Sequence, residues 1–206
     1  MSFIYTLSDQ PGSVTGFTHY GEKQTQNADE IYNLCIGSMT LEALCGILGN
    51  MQAESYLNPG QGELYRGMSS QYGLGLIQWT PSGHQGSNPL QDYAASVGGV
   101  WYDGNIQIQK ILTGEPGAWI PKQQWPYTWA EYCQLTDYAL ATRAYFEERE
   151  RGTWGENRVS YAYHWFEHFN GSPPPGPTPP GPGPDPGSTI LYGAVREVLR
   201  RLIIHA

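Results

Sequence analysis

Charge is scarce in this chain and leans one way. Only 15% of its 206 residues are charged, with 11 Lys and Arg against 19 Asp and Glu, for a net charge of −8. Too few cations remain to grip a phosphate backbone or an anionic membrane surface, which excludes nucleic acid and polybasic lipid contact as main functions. Long apolar runs are also missing, and no stretch approaches the roughly 20 residues of a membrane span. The opening Met-Ser-Phe-Ile-Tyr-Thr-Leu has neither a basic segment nor a sustained apolar one, so no signal peptide is expected there. Cysteine is limited to Cys35, Cys45 and Cys133, an odd number without metal-site spacing. They read as buried thiols of a protein made in a reducing compartment. A cysteine peptidase would need a histidine partner that the sequence does not place.

What is present is aromatic and glycine-rich: 39% hydrophobic residues, 13% aromatic, 26 Gly and 16 Pro. This is a globular composition, long enough for one domain of ordinary size with appendages. Residues 1–25 mix polar, glycine and aromatic residues without a clear period and read as an irregular arm. Residues 26–171 carry the periodic segments and read as the folded domain.

The most informative stretch is 40–81. Thr40 can cap a helix, with Glu42 in its first turn. Leu41, Leu44, Cys45, Leu48 and Met51 recur at three- and four-residue spacing and share one face. Gly46 and Gly49 each cost about 1 kcal/mol of helix propensity, which suits a bare backbone that another helix approaches closely. Glu54 lies one turn past Met51, and Asn58-Pro59-Gly60 supplies turn chemistry to stop the helix. Periodicity thus carries a carboxylate inward at the C-terminal end of an apolar helix. In an apolar wall, and at the negative end of the helix dipole, such a group would hold its proton toward neutral pH and serve as a general acid. The competing reading is an exposed Glu at a frayed end. Further on, Tyr72-Gly73-Leu74-Gly75-Leu76-Ile77-Gln78-Trp79 sets an amide beside an indole in a backbone free to bend sharply.

Glu-Ser followed by Gly-Leu-x-Gln resembles the signature of goose-type lysozymes and lytic transglycosylases. With its flanks, Gly46 through Ser55, Asn58-Pro59-Gly60 and Tyr72 through Pro81, the sequence is similar to the phage tail lysozyme family, in particular the tail-knob lysozymes of small Bacillus phages. The likeness covers roughly 26–169. It implies a mainly α, lysozyme-like α+β fold: a helical bundle around a cleft with a small β-hairpin. It implies bacterial peptidoglycan as substrate and cleavage of the β-1,4 bond between N-acetylmuramic acid and N-acetylglucosamine. Glu54 matches the catalytic acid. Ser55, Tyr72, Gln78 and Trp79 are expected to hold the sugar. Glu63, the acid of the 61–71 loop, is the candidate second carboxylate, in an inverting route through an activated water. A lytic transglycosylase using the same Glu is the alternative within the enzyme class, although Tyr161-Ala162-Tyr163 is a poor echo of the third motif of those enzymes. A non-catalytic glycan-binding or structural tail protein is the alternative outside it. The resemblance places the protein in the virion tail, acting at the host wall, with no cofactor.

Elsewhere, helices are expected from Asn27 or Asp29 to Cys35, across 90–112 with a break at Gly98-Gly99, over 129–133 after Thr128, over 137–150 and over 158–169. The charged run Glu147-Glu148-Arg149-Glu150-Arg151 reads as a solvated helix end. Tryptophans between 119 and 129 are core residues or groove lining. His164-Trp165-Phe166-Glu167-His168 fits an inverted zincin pattern but lacks a readable third ligand, so no metal is expected. Residues 172–187 form a Pro/Gly-rich spacer that, as polyproline II at about 3.1 Å per residue, reaches on the order of 50 Å. Residues 188–206 then carry an apolar stripe, Leu191, Val195, Val198 and Leu202, on an amphipathic helix. Its expected role is assembly, through another subunit or a virion protein.

Overall fold

Paired glycines in an otherwise apolar helix predict close backbone contact, and the fold is built on that contact. The computed structural model describes residues 2–150, 154–155 and 157–171. In chain order the described helices are α1 (Gly12–Thr15), α2 (Glu22–Cys35), α3 (Leu41–Ser55), α4 (Pro89–Ser96), α5 (Gly104–Leu112), α6 (Trp129–Tyr132), α7 (Tyr138–Tyr145) and α8 (Asn157–Asn170). A 3-10 turn lies at Ser82–His84, and a π-helical turn, Phe146–Glu150, continues α7. The spacer and the assembly helix of 172–206 lie outside the described residues.

Helix α3 is the hub. Thr40 caps it by accepting from the Ala43 N–H at 3.2 Å and donates its own hydroxyl to the Leu135 carbonyl. Eleven of its fifteen residues are buried, because α7 and α8 cover it from two sides. A Cβ on Gly46 would meet the Ala141 backbone at 2.7 Å. One on Gly49 would strike the Arg158 carbonyl and lie 2.9 Å from Ala162. The helix ends at Ser55, before the turn sequence, because Tyr56 and Leu57 both adopt positive φ (57° and 59°). In a non-glycine pair that backbone is disfavoured, and buried amides on either side hold it. Gln24 donates to the Tyr56 carbonyl at 3.1 Å and Asn27 to the Leu57 carbonyl at 2.8 Å.

Asn27 is therefore no helix cap. Helix α2 begins five residues earlier, at Glu22, and Asn27 lies buried within it. Its amide pairs with both the N–H and the carbonyl of Ile4 (2.8 and 2.7 Å), and Asn58 does the same to Thr6 (3.0 and 2.8 Å). The irregular arm is thus bonded along its length to the helical body. Helices α4 and α5 form within the expected 90–112 segment, capped by Asn88 accepting from Leu90 and Asp103 from Asn105. Thr128 and Glu131 close a capping box on α6.

The hairpin is reduced to isolated bridges, and no longer ladder forms among the described residues. Leu74 and Trp79 exchange N–H to carbonyl bonds of 3.2 and 2.9 Å across Gly75–Gln78, and Gly62 pairs with Leu74. The three cysteines are buried and free, and burial pushes the Cys35 thiol up to about 12 and Cys133 to about 11. No helix of the described residues is long and apolar enough to cross a membrane.

Gly49→Ala separates two opposed effects. Alanine gains about 1 kcal/mol of helix propensity, but overpacking costs roughly 1–3 kcal/mol. The obstacles here are backbone atoms of α8, which cannot swing aside, so packing wins. A fall of a few degrees in Tm is expected in thermal melts. An unchanged or raised Tm would show that the two helices can separate without cost.

Candidate active site

Glu54 occupies the last turn of α3, and what faces it is not the apolar wall that periodicity implies. Its Oε1 accepts from Nη2 of Arg158 on α8. Glu54 keeps 23% of its side chain exposed and Arg158 only 9%. Nη1 of the same guanidinium donates to Asn50 Oδ1 at 3.0 Å, and the Phe146 ring centroid lies 4.9 Å away. Asn50 is fully buried, and its Nδ2 donates to the Gly46 and Thr142 carbonyls at 2.8 and 3.0 Å. Helix periodicity sees one face of α3 but not a cation 104 residues downstream.

The other predicted site residues divide by accessibility. Ser55 is wholly buried, and its hydroxyl proton is shared between the Met51 carbonyl (2.9 Å) and the Leu76 carbonyl (2.8 Å). It ties the end of α3 to the glycine-rich loop. Trp79 is 1% exposed and presents no face to solvent. Its Nε1 donates to Glu115 Oε1 at 2.6 Å, and Lys110 (3.1 Å) and Arg149 (2.6 Å) reach the same carboxylate. Burial pushes the Glu115 carboxyl up, but Arg149, the Trp79 N–H and Lys110 outweigh it and hold it below its ordinary value. Gln78 is half-buried, at φ 51°, and bonds within its own turn to the Gly75 carbonyl at 2.9 Å. Tyr72 is half-buried, with the Arg66 guanidinium 5.6 Å from its ring centroid. Glu63 accepts the Gly73 N–H at 3.0 Å, lies 3.8 Å from Arg66 and is 37% exposed. Of these six, Glu54, Glu63, Tyr72 and Gln78 reach the surface, while Ser55 and Trp79 brace it from behind.

The charged run after α7 is the second departure. Its described part, 147–150, is not a solvated helix end, because the π turn folds it inward. Glu147 pairs with Lys122 (2.9 Å) and Arg143 (2.5 Å), and Arg149 runs to Glu115. Glu148 is completely buried, accepts the Tyr127 N–H at 2.9 Å and leaves Oε2 without a partner. Burial pushes its carboxyl up to about 8. Glu150 and Arg158, absent from the sequence-level site, thus stand with Glu54 and Glu115 as its charged surroundings. The signal of Glu150 in the sequence is the density of charge next to an aromatic pair, Tyr145-Phe146; Arg158, on α8, has none.

The two histidines of the zincin-like pattern are engaged separately. His164 lies against Tyr20, ring centroids 3.6 Å apart, and His168 Nε2 is 2.8 Å from Asp29 Oδ1. No group of three His, Cys, Asp or Glu among the described residues is placed to hold a metal. Trp119 is tied to the Tyr127 carbonyl at 2.9 Å and packs edge-on to Trp129 and Tyr132, in the core rather than in a groove.

A family model described as phage tail lysozyme matches residues 26–169. Over 62 residues the chain is 42% identical to Morphogenesis protein 1 of Bacillus phage B103. That stretch is 30% of this chain and 17% of the relative's length.

Two measurements test this division of roles. Trp79→Phe leaves a buried carboxylate short of one donor and should lower Tm by the equivalent of about 1–3 kcal/mol, with KM for glycan fragments unchanged. A raised KM without a stability loss would mean that the indole touches sugar. Glu148→Gln tests the buried acid. Its carboxyl stays protonated in the fold up to about pH 8 but ionises near its ordinary value once unfolded. Its contribution to stability is therefore complete at low pH and lost as pH rises toward 8. The Tm of Glu148→Gln relative to the parent should rise steadily from about pH 5 to pH 8, and a pH-independent difference would contradict the burial.

Proposed function

The chain belongs to the phage tail lysozyme family, and we propose that it is a virion-borne muramidase that opens host peptidoglycan during entry. The observation that carries this reading is the placement of Glu54. It is a partly exposed carboxyl at the end of a buried helix, with the next residue bonded to the glycine-rich loop. That loop carries Tyr72 and Gln78, a ring and an amide suited to the face and the N-acetyl group of an amino sugar. Glu54 protonates the glycosidic oxygen as the bond to the muramic acid carbon breaks, and charge builds on the ring as an oxocarbenium. Glu63, anchored on Gly73 and partly exposed, orients the water that attacks from the other face. Ser55 and Trp79 act as positioning residues: they fix the loop against α3 and touch no sugar.

Net charge fits this picture in one respect. With −8 overall, capture of the wall depends on stacking and hydrogen bonds rather than long-range attraction. Weak salt dependence of binding follows.

The deciding experiment is digestion of purified peptidoglycan followed by mass spectrometry of the fragments. Reducing N-acetylmuramic ends support the muramidase, 1,6-anhydro ends replace it with a lytic transglycosylase using the same Glu, and an absence of fragments indicates a glycan-binding tail protein. Glu54→Gln, nearly isosteric but unable to donate an acid proton, should lower kcat by about 10²–10⁴-fold with Tm maintained. Turnover within a few-fold of the parent would remove Glu54 from its role.

A further inference from the structure

As it stands in the structure, the Glu54 carboxylate is paired with a guanidinium, and an ion-paired carboxylate has no proton to give. A general acid in this position needs a way to acquire one. Two buried polar atoms nearby have no hydrogen-bond partner. Arg158 uses Nη1 on Asn50 and Nη2 on Glu54, while its Nε–H is buried and has no acceptor. Glu150, the last residue of the π turn, has Oε1 shut off from solvent without a donor. An orphaned donor and an orphaned acceptor in one interior cost free energy on both sides. They are complementary to each other, and Glu150 lies within electrostatic reach of both Glu54 and Arg158.

We propose, resting on the muramidase reading above, that Glu150 is the positioning residue that holds the catalytic proton, and that Arg158 exchanges partners between Glu150 and Glu54. In the resting arrangement Glu150 is a neutral acid and Glu54 is the carboxylate bonded to Arg158. In the working arrangement the proton has passed from Glu150 to Glu54, and the guanidinium has shifted its pairing to the Glu150 carboxylate. One proton and one cation change places between two carboxyl groups, so net charge is the same before and after. No buried charge is created, which keeps the exchange inexpensive in a low-dielectric interior. Sugar entering beside Glu54 favours the working arrangement, because an apolar ring face displaces water from the carboxylate and disfavours its ionised form.

The surroundings of Glu150 agree. Burial first, and then the charge of Glu54, push its carboxyl up to about 8, against the pull of Arg149 and Arg158 and with a small added push from Glu115. These groups reach it from four directions: Glu54 on α3, Arg158 on α8, Glu115 after α5, and Arg149 beside it on the π turn. Tyr145, at the end of α7, also faces it.

The test is a pH profile of kcat/KM on peptidoglycan fragments for the parent and for Glu150→Gln. The amide keeps the shape of the side chain but can neither supply a proton nor take the guanidinium as a carboxylate. Its alkaline limb should move toward acid by about one pH unit or more, a loss of about tenfold at neutral pH, with KM little changed and activity recovering as the buffer is acidified. An alkaline limb identical to the parent's overturns the proposal. Infrared spectroscopy provides a readout that does not depend on turnover. The parent at neutral pH should show protonated-carboxyl absorption from both Glu148 and Glu150; the Glu150 component is the part that Glu150→Gln removes, and in Glu54→Gln that component should titrate at lower pH because the neighbouring charge is gone. A Glu150 component that titrates identically with and without Glu54 overturns the coupling even if Glu150→Gln fails to fold. Full turnover by Glu54→Gln overturns the muramidase reading itself, and this inference with it. A dead Glu54→Gln combined with an unshifted Glu150→Gln profile overturns only the inference.

Discussion

Everything in the candidate site depends on how near α8 comes to α3. With no side chain at Gly49, the Arg158 carbonyl rests against the α3 backbone, and the first turn of α8 lies over the last turn but one of α3. Only from there can one guanidinium reach Asn50 and Glu54 together. Any larger residue at position 49 would lift the cation away from the carboxylate as well as loosen the bundle. Gly46 makes the matching contact with α7, and the turn that follows α7 brings Glu148, Arg149 and Glu150 inward. A helix with poor intrinsic propensity is stabilised here by packing, the usual source of helix stability in proteins.

Polar side chains then do what apolar contact cannot, which is to fix register. Asn50 spans α3, α7 and α8, with Nδ2 on Thr142 and Oδ1 on Arg158. Gln52 accepts the Trp165 indole N–H at 2.7 Å and pairs with His19 Nδ1 at 2.9 Å. Ser55 reaches Leu76. Apolar surfaces slide past one another at small cost, whereas each of these bonds has a single partner at a single offset and loses the full desolvation penalty if it slips. The same logic applies behind Trp79, where Glu115 gathers an indole and two cations.

Local signals are legible in the sequence and distant ones are not. The caps at Thr40 and Thr128, the tight Gly46 and Gly49 contacts and the helices within 90–112 follow from local residue patterns, and the sequence declares them. Asn27 shows the limit of that method: a residue that suits a helix start is instead an interior amide, because its partner, Ile4, lies 23 residues away. Trp79 looks like a sugar platform beside Gln78 but is drawn inward by Glu115, 36 residues on. The apolar face of α3 implies an acid in an apolar wall for Glu54, whereas the cation opposite belongs to α8. The charged run at 147–151 looks solvated because five charges in a row almost always are; nothing local signals the π turn that carries residues 147–150 inward.

The arm at the start of the chain has a bearing on where this protein can be cut. The matched family region opens at residue 26, but the Ile4 and Thr6 backbone bonds to Asn27 and Asn58, and the Gln24 bond that steadies Tyr56, all reach across that boundary. A fragment begun at the family's edge would leave Asn27 and Asn58 each without the two bonds it makes to the arm, and a left-handed Tyr56–Leu57 kink relieved of one brace. The unit that folds is therefore larger than the unit that is shared. The kink directly follows Glu54 and Ser55, so trimming a segment without catalytic residues would be felt first at the end of α3.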